Sequence, residues 1–239
     1  MSLRGARSSV LRRAVALLDL LERAAPGRFA RVSCPLCGWT GLAFRPVIYP
    51  TYTRLGAICP GCGSRERHRL VGLAWERMVA DLPSRPLTLY LAPEACLKPL
   101  WPRLGRVVTA DISSEVVDLI CDAEALPVRR GSLDVYFAID VLEHVSDDRQ
   151  AMAEMAAALR PGGFAFVHVP VLARETIEYD QPNPLESFHV RMYGPDVTDR
   201  LGQAGLEVRR IAVADGDGLG SRHGLVQTDF VLVARRPAQ

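Results

Sequence analysis

Residues 132–148 read S-L-D-V-Y-F-A-I-D-V-L-E-H-V-S-D-D, and their order decides the fold. From Val135 to Ile139 every position is apolar or aromatic, so a strand made from this run must be covered on both faces. The run stops on Asp140. The same construction recurs around it. L-T-L-Y-L-A (87–92) leads into A-P-E-A-C-L, R-V-V-T-A-D (106–111) stops on Asp111, and V-V-D-L-I-C-D (116–122) stops on Asp122. A helical stretch over about 148–160 ends in P-G-G and leads to F-A-F-V-H-V-P (164–170). Apolar strands alternating with helical segments predict an α/β domain with a largely parallel sheet, covered on two sides.

The position of the acids carries a functional reading. Asp111, Asp122 and Asp140 all fall at carboxyl ends of predicted strands, the edge where open α/β sheets bind ligands. A carboxylate ending the second strand can accept from both hydroxyls of a ribose, and one after the third can meet an exocyclic amine. A single such acid would be read as a helix cap. Three in register favour a nucleoside ligand.

Upstream, C-P-L-C-G (34–38) and C-P-G-C-G (59–63) are two C-x2-C pairs with 21 residues between them. A two-residue gap turns both thiolates toward one point, and two such turns supply the tetrahedral sulfur set of a closed Zn²⁺ site. Gly38 and Gly63 follow each pair, where a tight turn needs positive φ. The alternatives are two disulfides or a redox pair; a reducing cytoplasm disfavours the first, and duplication of the turn disfavours the second. The predicted metal ligands are therefore Cys34, Cys37, Cys59 and Cys62, in a structural role. Cys96 and Cys121 have no partner at metal spacing, and packing is the expected role of each.

The remaining sequence frames these two parts. The chain has 239 residues, 49% hydrophobic and 23% charged, which excludes collagen-like and wholly disordered classes. Its formal charge of +2 is too balanced for a polycationic nucleic-acid binder. No apolar run approaches the roughly 20 residues of a membrane span. Leu11, Val15, Leu18 and Leu21 predict an amphipathic helix over about 8–25, ended by Pro26-Gly27, and Asp19 and Glu22 interrupt any signal-peptide pattern. A cytoplasmic chain is expected. Short strands are expected at 39–44 and 47–49, and then a helix after Ser64, its predicted N-cap. Arg65, Arg67, His68 and Arg69 read equally as a nucleic-acid patch or as a docked helix start. Pro83-Ser84-Arg85-Pro86 marks a boundary. The expected division is an N-terminal helix (1–30), a zinc-ribbon module with a linking helix (31–82) and an α/β domain (83–239).

D-A-E-A-L-P (122–127), S-L-D-V-Y-F-A-I-D-V-L-E-H-V-S-D-D and A-M-A-E-M-A-A-A-L-R-P-G-G (151–163) together resemble the core of class I S-adenosylmethionine-dependent methyltransferases. The paired C-P-x-C-G turns, S-R-E-R-H-R-L (64–70), L-A-P-E (91–94), E-T-I-E-Y-D (175–180) and H-V-R-M-Y-G (189–194) resemble a bacterial subgroup with an N-terminal zinc ribbon. The resemblance implies a Rossmann-like methyltransferase sheet, mostly parallel with an antiparallel closing strand, and S-adenosyl-L-methionine as cofactor beside Zn²⁺. It implies that Ala92, Pro93 and Glu94 lie beneath the methionine part, that Asp111 holds the ribose, and that Asp122 and Ala123 meet the adenine edge. Ile139 and Asp140 would line the sulfonium end, with Glu143 and His144 just beyond.

Two departures stand out. The loop after the first strand holds no glycine, and Phe188 precedes His189 where the subgroup carries an acid. Should the acceptor carry a proton that must leave, His189, His144 and Glu94 are the candidate bases, in that order. Arg191 and Tyr193 are candidates to hold an anionic or aromatic acceptor. Residues 172–188 are expected to form a long loop over the substrate opening. A helix, a strand and a closing strand follow, with G-D-G-L-G-S-R-H-G as the connection and His223 as a solvated turn residue. The leading function is methyl transfer to a small-molecule or biosynthetic-intermediate acceptor. An RNA methyltransferase and a non-catalytic scaffold with a weak cofactor site are the alternatives.

Overall fold

The computed structural model describes residues 3–24, 31–48, 53–212, 218–226 and 229–238. Pro26, Gly27, Tyr49, Pro50, Gly216 and Asp217, which the sequence reading used, lie outside them. Helix α1 spans Leu3–Ala24. The two acids that break its apolar run are its anchors: Arg45 Nε donates to Asp19 at 2.9 Å and Arg45 Nη2 to Glu22 at 2.6 Å. Glu22 also accepts from the Leu42 amide at 2.9 Å.

Strands β1 (Val32–Ser33) and β2 (Thr40–Gly41) pair antiparallel around the first cysteine turn. Strands β3 (Arg45–Ile48) and β4 (Thr53–Ile58) pair antiparallel and lead into the second. Helix α2 (Glu66–Met78) follows. Its N-cap is Arg65 and not Ser64, and the Arg65 amide donates to His68 Nδ1 at 3.0 Å. An imidazole thus takes the place of the acid in a capping box. Leu70, Val71, Ala74, Trp75 and Met78 form its buried stripe. Trp75 lies 5.6 Å from Phe166 and 6.1 Å from Phe137, and those two rings stack at 4.9 Å.

This docking turns most of the basic stretch inward. His68 and Arg69 are buried, and Arg67 turns inward to Asp140. The Arg69 guanidinium donates to the carbonyls of Ala57, Ser64, His223 and Gly224 at 2.6–3.0 Å and lies 3.9 Å over the Phe44 ring.

The main sheet comprises β5 (Leu87–Leu91), β6 (Arg106–Asp111), β7 (Leu119–Ile120), β8 (Leu133–Ile139), β9 (Leu159–His168), β12 (Glu207–Ala212) and β13 (Phe230–Arg235). Their order is β12-β13-β9-β8-β5-β6-β7. Every neighbouring pair from β9 to β7 is parallel, and β13 runs antiparallel to both β9 and β12. The expected fold is therefore found: a Rossmann-like methyltransferase sheet with an antiparallel closing strand, beside a small module that gathers four cysteines. Helix α3 (Asp148–Ala158), capped by Asp147 accepting from the Gln150 amide at 3.0 Å, covers one face with α4 (Val197–Gln203). Helix α2 covers the other.

Besides the N-cap, other local expectations fail: the strand expected over 116–122 is only Leu119–Ile120. The connection from β5 to β6 is a 3-10 segment, Ala95–Arg103, because Pro99 and Pro102 remove the amides an α-helix needs. Residues 172–188 are not an open loop: β10 (Ile177–Asn183) pairs antiparallel with β11 (His189–Met192). Finally, His223, at the end of α5 (Leu219–His223), is no solvated turn residue. It is buried, with Nδ1 2.7 Å from the Ser33 carbonyl.

Candidate functional site

The chain leaves β5 toward β6 and later returns through β8 on the opposite side, so the switch point lies between β5 and β8. Leu91 pairs with both Ala110 and Ala138, which places Ala92, Asp111 and Ile139 at one level on three adjacent strands. Both residues that turn away from the switch point are left-handed: Ala92 at φ 47° and Asp140 at φ 53°. Side chains avoid this region, and residues held there cluster at binding sites. Ala92 stands where a glycine would be comfortable, so the missing glycine does not change the path of the backbone.

Asp111 Oδ1 accepts from the amides of Ser113 and Ser114 at 2.9 and 3.0 Å. These bonds orient the carboxylate and occupy one oxygen. Asp122, just past the short β7, accepts from the Glu124 amide at 2.9 Å through Oδ1. Ala123 and Ile139 are buried, and the Pro93 side of the loop is half-buried. Glu94 Oε1 lies 2.7 Å from His68 Nε2 and 3.6 Å from Arg67. Because His68 Nδ1 accepts from Arg65, Nε2 carries the proton given to Glu94. Burial raises the Glu94 pKa, but the His68 hydrogen bond and the Arg67 charge outweigh it and hold the carboxyl below its usual range.

Asp140 belongs to a charge relay. Arg67 Nε lies 2.6 Å from Asp140 Oδ2, His168 Nδ1 lies 2.5 Å from Asp140 Oδ1, and His168 Nε2 lies 2.9 Å from Asp229. Burial opposes a charge on His168, but its two carboxylate partners win and push its pKa up to about 9. His168 therefore stays an imidazolium at neutral pH and ties the end of β9 to the start of β13. Sequence reading passed over it, although a histidine inside F-A-F-V-H-V was a visible signal.

The linkage has a defined sign. A raised histidine pKa stabilises the fold fully below its unfolded value near 6.5, and the contribution disappears as pH rises through about 9. Melting temperature is expected to fall between pH 7 and 10, with about 3 kcal/mol lost over that window. The charges facing His168 are Asp140, Asp229 and, through Asp140, Arg67. His168→Asn should flatten this limb in melts taken across the range; an equally steep limb in the variant would assign it elsewhere.

Beyond Asp140, the 141–146 segment carries Glu143 and His144, and β11 brings His189 against them. The His144 and His189 rings meet edge-on with centroids 4.7 Å apart. One donor atom from each of Glu143, His144 and His189 lies within 4.8 Å of the others. Burial lowers the pKa of both imidazoles, and His144 lowers that of His189 further. Burial and the Asp140 charge push Glu143 up to about 8.

Arg191 and Tyr193 do not face an acceptor. Arg191 is buried and donates to the carbonyls of Leu142, Val145 and Ser146 and to Glu178. Tyr193 donates to Asp148 at 2.7 Å. Together they fasten the segment that carries Glu143 and His144. A cleft of about 210 Å³ opens beside Asp140 and His168, lined also by Arg54, Arg67, Leu172 and Asp229.

In the cysteine module, Cys34 Sγ lies 3.8 Å from Cys62 Sγ, and Cys37 Sγ lies 3.7 Å from Cys59 Sγ. All four sulfurs fall within 4.8 Å of one another. A disulfide would bring sulfurs to about 2 Å, whereas a tetrahedron with metal–sulfur bonds of about 2.3 Å spaces them by about 3.8 Å. Gly38 and Gly63 both take positive φ, and their amides donate to the Cys34 and Cys59 carbonyls, so the two turns repeat one geometry. No helix among the described residues is long and apolar enough to cross a membrane.

Comparison with known proteins supports the same fold. Residues 93–167 match the family described as "Methyltransferase domain". A probable S-adenosylmethionine-dependent methyltransferase of Mycolicibacterium smegmatis is 36% identical over 104 residues, 41% of this chain and 40% of that protein. The tRNA (carboxymethyluridine(34)-5-O)-methyltransferase of Mus musculus is 31% identical over 116 residues, 42% of this chain and 18% of that protein. The chain thus spans less than half the length of these relatives. Among solved structures, the cyclase SpnF superposes with a TM-score of 0.52 at 20% identity, covering 72% of this chain and 82% of that one. The CurJ carbon methyltransferase gives 0.51 at 15% identity, covering 72% and 54%. The chain has the Rossmann-like methyltransferase fold, and within it residues 93–167 carry the sequence pattern of the methyltransferase domain family.

Proposed function

We propose that this chain is an S-adenosylmethionine-dependent methyltransferase that acts on a small-molecule or biosynthetic-intermediate acceptor by in-line displacement. The observation that carries this reading is the convergence of Ala92, Asp111 and Ile139–Asp140 at the switch-point end of three adjacent strands. The donor set fits the cofactor. Asp111 has one oxygen fixed by Ser113 and Ser114, and Oδ2 faces no donor among the described residues, as a ribose partner requires. Asp122 and Ala123 suit the adenine edge. Ala92, Pro93 and Glu94 suit the methionine part, and Ile139 and Asp140 the sulfonium end.

When bound, S-adenosylmethionine supplies a methyl group already activated on its sulfonium. The chain must hold the acceptor in line with that carbon and exclude water. His189 is the first candidate to receive an acceptor proton, since its imidazole is kept neutral and its Nδ1 has no partner among the described residues. His144 is the second. Glu94, held by His68 and Arg67, is better suited to orienting the cofactor than to accepting a proton.

The cleft beside Asp140 suits a compact polar acceptor. The burial of His68 and Arg69 leaves little of the basic stretch for RNA. The four sulfurs fit one structural Zn²⁺ ion, held by Cys34, Cys37, Cys59 and Cys62, in a chain working in the reducing cytoplasm. The segments 1–30, 31–82 and 83–239 are its helical, zinc-ribbon and catalytic parts.

Calorimetry with S-adenosylhomocysteine tests the reading. Asp111→Ala is expected to weaken binding by about 1–3 kcal/mol, the loss of one half-buried charged acceptor. Unchanged affinity would place the ribose elsewhere. No binding by the unaltered chain at near-millimolar ligand would favour a scaffold.

A further inference from the structure

Among the described residues, two clusters outside the cysteine module bring three groups able to hold a metal within reach of one point, and they differ in one respect. In His68–Glu94–Cys96, His68 has both nitrogens engaged, Nδ1 by the Arg65 amide and Nε2 by Glu94. That cluster is complete without a ligand. In Glu143–His144–His189 the donors face one another without satisfying one another. Glu143 is 1% exposed, and neither of its carboxylate oxygens has a hydrogen-bond partner among the described residues. His189 Nδ1 is buried and equally unpartnered. Leaving a buried carboxyl without any partner costs several kcal/mol, so something absent from the protein's own hydrogen bonds is expected to meet it.

We propose that Glu143, His144 and His189 form a binding site for a divalent first-row transition cation, which holds an oxygen-bearing acceptor on its open side. Two imidazoles and one carboxylate are the donor set such ions take when they keep positions open for substrate. Donors on one ion stand about 3–4 Å apart, so a cluster already within 4.8 Å needs only a small contraction. The supporting contacts are those of a metal site. Arg191 fixes the segment that carries Glu143 and His144 through the Leu142, Val145 and Ser146 carbonyls. His144 is the exposed member, so the open side faces solvent. The left-handed backbone at Ser187 and Phe188, φ 57° and 63°, turns the chain so that His189 reaches Glu143. The departure from the subgroup pattern at Phe188 then has a meaning: His189 is positioned by that turn and needs no acid before it.

This inference rests on the methyltransferase reading only for its acceptor. In the loaded site His189 is a ligand, and activation passes to the cation, which lowers the pKa of a bound hydroxyl. Acceptors with two adjacent oxygen donors would fit best.

The test uses the full chain with its thiolate site loaded with zinc, so that added metal reports on the second site. Mn²⁺ is titrated by electron paramagnetic resonance and Ni²⁺ by calorimetry. One equivalent of either ion is expected to bind, with affinity reduced at least tenfold in Glu143→Gln and in His144→Ala. His144 is exposed, so His144→Ala keeps the test valid should the buried substitution disturb folding. No uptake by the unaltered chain, or uptake unchanged in a folded His144→Ala, would overturn the site. S-adenosylhomocysteine binding measured on the same samples separates the two readings: cofactor binding without metal uptake removes only the cation site, and the reverse removes only the cofactor reading.

Discussion

If the four cysteines hold zinc as proposed, Cys59→Ser is expected to release it and to lower the melting temperature by on the order of 10 °C. The size follows from what the ion replaces. The described parts of residues 31–64 contain only two-, four- and six-residue strands, and their buried apolar cluster is Cys34, Phe44 and Cys59. Such a module has too little core to fold on hydrophobic burial alone. Four thiolates on one ion would supply the missing free energy, about 10–16 kcal/mol in isolated zinc modules, and removing one ligand would forfeit several of those kcal/mol. A domain of this size shifts by about 2–4 °C for each kcal/mol. The effect should reach beyond the module, because the turn at Cys59 carries Ser64 and the start of α2, which covers one face of the main sheet. Metal content by mass spectrometry and a thermal melt check it together. One zinc per chain and an unchanged melt in Cys59→Ser would dismiss the four-thiolate site.

Arg69→Met should cost about 3–5 kcal/mol, the scale of breaking a buried polar network. Methionine matches the length of the arginine stem and keeps its apolar contacts, so the change isolates the guanidinium. That group alone joins three parts of the chain: Ala57 and Ser64 in the cysteine module, α2 itself, and His223–Gly224 before the closing strand. Its removal takes the Arg69 donor from the carbonyls of Ala57, His223 and Gly224, while Ser64 keeps the Cys59 amide, and each buried acceptor left short of a partner costs about 1–3 kcal/mol, partly relieved by relaxation. Burial disfavours its charge, while Glu66 and the nearby cysteines favour it. Arg69→Lys keeps the charge but not the planar fork, and should recover less than half of the loss. Urea midpoints measure both. A shift below about 1 kcal/mol for Arg69→Met would mean that the module and the sheet are joined by other contacts.

The sequence by itself determined what short-range chemistry determines. Apolar runs such as Val135–Ile139 have one place to go, between two layers, so the sheet was legible from periodicity. Paired C-x2-C spacing dictates converging sulfurs whatever surrounds them. Aspartates at the ends of apolar runs lie at strand tips by construction, and Asp111 and Asp140 are found there. Tertiary structure alone decided which polar side chains are spent on the protein itself. Arg67, His68 and Arg69 are identical in kind to a surface basic patch, and only the docking of α2 sends them inward. Arg191 and Tyr193 read as acceptor contacts and prove to be fasteners of a neighbouring segment. Glu143, His144 and His189 meet across 45 residues of chain because β10 and β11 pair, and residues 172–188 show no periodicity that announces such a hairpin. Strand periodicity is local, whereas the partner of a buried charge is chosen by whatever the fold brings within about 3 Å of it.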